Sequence, residues 1–167
     1  MVSLFAERRA VLALGANLGD RVATIDAAVR AIDAIDGIRL IDRSSAWESP
    51  SWHPAGEGLS PDYVNIVAIV GTTMQPLDLL DALQAVEDAL GRERAERWAS
   101  RAIDIDIVTI GDLEVAEDRL VLPHPRVHER QFVLQPWLEV EPHASLPGHG
   151  SIAELAEYAH GDAWKLP

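Results

Sequence analysis

Residues 101–108 read Arg-Ala-Ile-Asp-Ile-Asp-Ile-Val, a strict alternation that a β-strand sorts into two chemically opposite faces. On such a strand Ile103, Ile105 and Ile107 point into a core, and Asp104 and Asp106 point together to the other side. Their Cα atoms would lie about 6.6 Å apart, at ~3.3 Å of rise per residue. Like charges on one face repel unless a cation lies between them. Magnesium suits such a pair, because it takes hard oxygen ligands alongside water and phosphate. A solvated strand face with ordinary surface acids gives the same alternation. The run therefore demands a sheet covered on at least one side and leaves the acidic side as metal site or open surface.

No Lys or Arg occurs between Ser44 and Gly91; then Arg92, Arg94, Arg97 and Arg101 follow within ten residues, with Trp98 among them. Guanidinium groups grip phosphate oxygens in bidentate fashion. Taken alone, Arg-Glu-Arg-Ala-Glu-Arg favours a surface loop whose charges pair among themselves. Leading directly into a strand with two co-facial carboxylates, it matches what phosphoryl transfer from a nucleotide requires.

A length of 167 residues at 48% hydrophobic suits one domain, 1–167, with 1–9 as a loose N-terminal extension. No stretch is long and apolar enough to cross a membrane, and the start carries Glu7, Arg8 and Arg9 in place of a signal peptide's apolar core. With no cysteine there is no disulfide framework or thiolate metal site. A cytoplasmic protein, monomeric and without a membrane partner, is expected. The net charge of −13 argues against a nucleic-acid partner, so an anionic substrate would depend on the local arginine cluster.

Residues 10–15 form a short apolar run closed by Gly15, read as a buried strand. Gly15-Ala16-Asn17-Leu18-Gly19-Asp20 lacks both the Walker A ending and the dinucleotide glycine spacing, so a strand-to-helix turn is preferred over a phosphate loop. Val22, Ile25, Val29, Ile32 and Ile35 recur at helical spacing up to Gly37. Residues 38–47 read as a second strand, 49–61 as a long exposed loop, and 63–70 as a third, β-branched strand. Pro76 opens a helix with Leu79, Leu80, Leu83, Val86 and Leu90 inward, ended by Gly91. The aspartate strand spans 102–110, with Gly111-Asp112 as a hairpin turn. A short strand at 120–122 precedes Pro123-His124-Pro125, and 132–138 is apolar, either helix or strand. Ser151 and Glu154 make a capping-box pattern for a last helix from 152 to about 160. Strand–helix–strand–strand–helix–strand is the order of a ferredoxin-like α+β sandwich, its antiparallel sheet having helices on one face and the other left for function or the C-terminal segment.

None of the six histidines forms a pair at helical ligand spacing within a predicted helix, so a zinc site is not expected. His124, held between two prolines, is either a positioned phosphate contact or a turn residue. Tyr63 and Asn65 share a strand face opposite Val64 and Ile66. An aromatic beside an amide there could stack on and hydrogen-bond a flat heterocycle, or be purely structural.

Together these pieces resemble the 6-hydroxymethyl-7,8-dihydropterin pyrophosphokinase family of folate biosynthesis over roughly residues 10–147. The resemblance is carried by Leu14-Gly15-Ala16-Asn17-Leu18-Gly19-Asp20-Arg21, Pro61-Asp62-Tyr63-Val64-Asn65 and Arg97-Trp98-Ala99-Ser100-Arg101-Ala102-Ile103-Asp104-Ile105-Asp106-Ile107. Leu122-Pro123-His124-Pro125-Arg126 and Arg130-Gln131-Phe132-Val133-Leu134 complete it, in the same order. It implies a ferredoxin-like sandwich that moves pyrophosphate from ATP to the pterin's hydroxymethyl group and releases AMP. It implies two magnesium ions on Asp104 and Asp106, and a phosphate clamp of Arg92, Arg94 and Arg101 on a loop that carries Trp98. Glu87, Ile107, Arg119, His124 and Arg130 match positions at the nucleotide. Tyr63 and Phe132 match the aromatic pair around the pterin, Asn65 its edge contact, and Ser49, Pro50 and Trp52 the lining loop. The chain departs from the family pattern at Ala99-Ser100, where Gly-Pro is usual, at Ser49, commonly threonine, and in the length of 49–61. A non-catalytic ferredoxin-like binding module and a different two-metal phosphotransferase are the readings from other classes.

Overall fold

The computed structural model describes residues 6–51, 61–91 and 102–167. In chain order it contains β1 (Arg8–Ala16), α1 (Arg21–Asp33), β2 (Ile38–Arg43), β3 (Trp47–Ser49), β4 (Tyr63–Thr72) and α2 (Pro76–Gly91). There follow β5 (Asp104–Ile110), β6 (Val115–Glu117), β7 (Leu120–Leu122), α3 (Gln131–Val140), β8 (Ser145–Leu146), β9 (Gly150–Ser151), α4 (Ile152–Tyr158) and β10 (Trp164–Lys165). The main sheet runs β10-β3-β4-β1-β5, with β2 also on β4, and its pairings are antiparallel. The fold is thus a mixed α+β structure with four α-helices among the described residues.

Strand alternation decides which helices cover which face. Leu12, Leu14, Val64, Ile66, Ile105 and Ile107 join Ile25, Val29 and Ile32 of α1 and Leu79, Leu83 and Val86 of α2 in one core. On the opposite face Val11, Val67, Ile69 and Val108 meet Val133, Leu134 and Trp137 of α3 and Ile152 of α4. The C-terminal segment therefore covers the second face, but only part of it. Ile110 belongs to the first core although the strand period would send it with Val108. The register shift at Val11/Leu12, where Val11 pairs Thr109 and Leu12 pairs Ile107, places an extra residue at Val108 and reverses the alternation beyond it.

Several sequence expectations shift. The strand expected at 38–47 is two, β2 and β3, because Ser44 leaves the ladder: its hydroxyl accepts from the Val67 amide at 3.0 Å and its amide donates to the Val67 carbonyl at 2.8 Å. Val22, at helical spacing with Ile25 and Val29, is nonetheless 42% exposed in the first turn of α1, which Asp20 caps by accepting from the Ala23 amide. β1 starts at Arg8, inside the expected loose extension, and β5 starts at Asp104 rather than 102. Ser49 and Ser51 are buried rather than part of an exposed loop. The Gly111-Asp112 turn forms, with Gly111 at φ +53°, but β6 pairs with β7 across Asp118-Arg119 instead of returning along β5. Residues 132–138 are helical in α3 despite Pro136, which cannot donate to the Phe132 carbonyl.

Candidate active site

The face that α3 leaves uncovered is an open row of small residues flanked by polar ones. In register, Gly15 of β1 lies between Asn65 of β4 and Asp104 of β5, and Ala13 lies between Val67 and Asp106. At ~4.8 Å per strand, Asn65 and Asp104 stand about 10 Å apart across a residue with no side chain. The cleft above this floor has a volume of about 630 Å³, and Tyr63, Asn65, Ser49, Asp104, Asp106 and Phe132 are among its lining residues. Arg126 and Arg130 also reach it. The amide of Asn65 is pinned, since its Nδ2 donates to the buried Ser49 hydroxyl at 2.8 Å. A methyl group on Gly15 would lie 3.1 Å from Asn65 Oδ1 and 3.6 Å from the Tyr63 ring. The Tyr63 phenol is pushed up, first by burial and then by the negative charge of Asp104.

Asp106 also borders a second hollow of about 240 Å³, shared with Ile107, Arg119, His124 and Pro125. Its carboxylate lies 4.0 Å from the Arg130 guanidinium, whose carbon is 5.6 Å from the centre of the Phe132 ring. His124 follows a cis Leu122–Pro123 bond and anchors to the sheet, its amide donating to the Val108 carbonyl at 2.9 Å. Its ring Nδ1 accepts from the Arg126 amide at 3.2 Å. Burial lowers the His124 pKa; Asp106 opposes that, and Arg130 and Arg126 add to it. Arg119 is engaged by Asp81 and, at 3.4 Å, by Gln84 of α2.

The structure thus gathers Ser49, Pro50, Tyr63, Asn65, Asp104, Asp106, Arg130 and Phe132 around one cleft, and Ile107, Arg119 and His124 around the adjoining hollow. Glu87 is half-buried on α2 and borders neither. Trp52, Arg92, Arg94, Trp98 and Arg101 lie outside the described residues. Sequence reasoning missed Ala13, Leu14, Gly15, Arg126 and Val133. Gly15 was legible only as the end of an apolar run, because its role depends on which residues the register sets beside it.

β3 is tied to α3 through Glu139. Burial would raise this carboxyl, but hydrogen bonds from Ser45, Lys165 and Trp47 outweigh it and lower the pKa from 4.5 to about 2. A depressed folded-state pKa stabilises fully above about 4.5, and the contribution is lost as pH falls toward about 2. The exchange protection of the Leu166 amide, which donates to the Ala46 carbonyl of the same cluster, is expected to fall across that window. With Glu139→Gln the fall should disappear; a wild-type protection that stays flat would refute the linkage.

Fold and cleft together define a mixed α+β protein in which paired carboxylates, arginines and an aromatic–amide wall meet on one sheet face. A family model described as 7,8-dihydro-6-hydroxymethylpterin-pyrophosphokinase (HPPK) matches residues 11–142, and the chain belongs to this family. The 2-amino-4-hydroxy-6-hydroxymethyldihydropteridine pyrophosphokinase of Haemophilus influenzae is 39% identical over 148 residues, covering 89% of this chain and 91% of that one. The protein of the same name from Pseudomonas aeruginosa is 38% identical over 148 residues, covering 89% and 90%. In fold, the chain is similar to a crystal structure of Plasmodium falciparum HPPK-DHPS, with a TM-score of 0.71 at 15% identity. That alignment covers 93% of this chain and 44% of the longer one.

Proposed function

We propose that this protein transfers the terminal pyrophosphate of ATP to the hydroxymethyl group of 6-hydroxymethyl-7,8-dihydropterin, releasing AMP, in folate biosynthesis. Family membership over residues 11–142 supports the activity. The observation that carries the site is the convergence of Tyr63, Asn65, Asp104 and Asp106 on one sheet face, with Asp106 shared by both hollows. The pterin lies on the Gly15 floor between Tyr63 and Phe132, its edge against Asn65, with Ser49 and Pro50 beside it; Trp52 is assigned as a further pterin contact. The nucleotide takes the second hollow, lined by Ile107, Arg119 and His124, with Arg130 reaching its phosphates from the adjoining cleft beside Asp106; Glu87 is assigned to the nucleotide as well, although it borders neither hollow.

The alcohol oxygen attacks the β-phosphorus in line; the bond from that phosphorus to the oxygen bridging it to the α-phosphorus breaks, and AMP leaves. Phe132 and Tyr63 fix the ring so that its hydroxymethyl arm faces the Asp106 side of the cleft, which is how binding lowers the entropy cost of the encounter. Arg92, Arg94 and Arg101 neutralise the phosphate oxygens as charge moves to the leaving group, and Arg130 faces the same space. No side chain of the cleft is assigned as a strong base, which a loose transition state does not require.

A metal requirement accords with the donor set. Asp104 and Asp106 offer hard oxygens on one face, and no group of three or more His, Cys, Asp or Glu among the described residues could hold an ion unaided. That favours a cation completing its shell with water and phosphate, and we assign two magnesium ions to Asp104 and Asp106. Bound there, magnesium supplies Lewis-acid neutralisation of the phosphate charge.

We also read the sheet as ferredoxin-like. With β2 and β3 counted as one broken strand, the order β5-β1-β4-β2/β3 supports it. The protein is taken as a cytoplasmic monomer; no helix of the described residues is long and apolar enough to cross a membrane.

AMP formation from Mg-ATP with and without the pterin tests the function. AMP only with pterin is expected. Pyrophosphate or phosphate released without it would point to a different phosphotransferase, and intact ATP in both would point to a binding module.

A further inference from the structure

The family match ends at residue 142, yet the chain continues through α4 and returns to the sheet as β10. Trp164 pairs with Glu48 and Lys165 with Trp47 on the outer edge of β3, and the Leu166 amide donates to the Ala46 carbonyl at 2.9 Å. Side chains reinforce this contact at two points. Trp164 Nε1 donates to one Glu48 oxygen at 3.2 Å, while the other takes Arg21 at 2.7 Å. Arg21 also donates to the Asp62 carbonyl at 2.8 Å, directly before Tyr63. Lys165 Nζ lies 2.9 Å from Glu139, which in turn holds Ser45 and the Trp47 indole.

The strand held in this way matters because of what it ends on. A three-residue strand has little stability of its own. β3 finishes at Ser49, whose hydroxyl accepts from Asn65 Nδ2 at 2.8 Å. With its nitrogen so engaged, the Asn65 amide turns its oxygen toward the Gly15 floor. A shift of β3 would release the amide, and with it the polarity that the floor presents to a bound ring.

We infer that β10 is a positioning element of the heterocycle cleft: Trp164, Lys165 and Leu166 hold β3 so that Ser49 keeps the Asn65 oxygen facing the ring. A floor that presents an acceptor selects a heterocycle edge rich in N–H donors, as the lactam and amino groups of a pterin are. The inference rests on the pterin reading above and places part of the pocket's specificity in a segment beyond the matched region.

The test uses the full chain carrying Trp164→Phe with Lys165→Ala, which strips both side-chain clasps and leaves the backbone intact. The Kd for 6-hydroxymethylpterin, followed by its fluorescence, is expected to rise about tenfold, and that for a magnesium-bound non-hydrolysable ATP analogue to stay within about twofold. Lys165→Arg, which keeps a cation on Glu139, should retain the unsubstituted affinity. Unchanged heterocycle affinity in the double variant overturns the inference, as does an equal loss for both ligands, which marks β10 as a general stabiliser. Trp164→Phe alone loses one N–H and should show the same split at about threefold, so a double variant that fails to fold does not protect the idea. If the unsubstituted chain does not bind 6-hydroxymethylpterin, the pterin reading fails and takes the inference with it.

Discussion

Replacing Asp106 with alanine is expected to lower kcat for AMP formation by at least about a thousandfold while leaving 6-hydroxymethylpterin affinity within a few-fold. Asp106 borders both hollows, so it stands where charge from the phosphates must be met, and its side chain is 49% exposed. Its removal should therefore cost little stability; the Arg130 contact at 4.0 Å is long and partly solvated. Asp106→Asn keeps the shape and hydrogen-bonding reach but removes the negative charge, and should lose nearly as much activity as alanine. That pair of variants separates charge from packing. Steady-state AMP formation and a fluorescence titration supply the readouts. Near-normal turnover in either variant would sink the metal assignment at this residue. Asp104→Ala differs in one respect: burial first and then the Asp104 charge raise the Tyr63 phenol pKa, so this change should also lower that titration part of the way, leaving the share due to burial.

The sequence carried the cleft's polar groups more openly than its shape. Isoleucine alternation put Asp104 and Asp106 on one face, and the same rule put Tyr63 and Asn65 on one face of another strand, because period two is a local property. Whether those two faces are the same face depends on strand register across β1, which no local pattern encodes. The bulge at Val108 was hidden for a related reason: Val, Thr and Ile in sequence are all acceptable strand residues, and only pairing with β1 reveals the extra one. Residues 132–138 were ambiguous because Pro136 argues against a helix while the apolar content fits either element, and burial of Trp137 and Leu134 in the second core settled it. β10 was invisible at two residues long. Its pairing is set by Glu48, Glu139 and Ala46, all more than twenty residues away.

Gly15→Val tests the shape of the site as Asp106 tests its charge. Valine is at home in a strand, and Gly15 sits in the centre of the sheet between β4 and β5, so the strand pairing should tolerate the change. The cleft should not. The first added carbon already lies 3.1 Å from Asn65 Oδ1, closer than an unstrained contact, and Asn65 cannot swing away without giving up Ser49. The two methyl groups beyond it would occupy the floor on which the ring is proposed to rest. Heterocycle affinity is expected to fall about a hundredfold, equivalent to roughly 2.7 kcal/mol, with nucleotide analogue affinity and thermal midpoint close to those of the unsubstituted chain. Gly15→Ala should fall between the two, since it disturbs Asn65 without filling the floor. A valine variant that binds 6-hydroxymethylpterin normally would mean that the ring lies elsewhere, and the open row between Asn65 and Asp104 would lose its role in recognition.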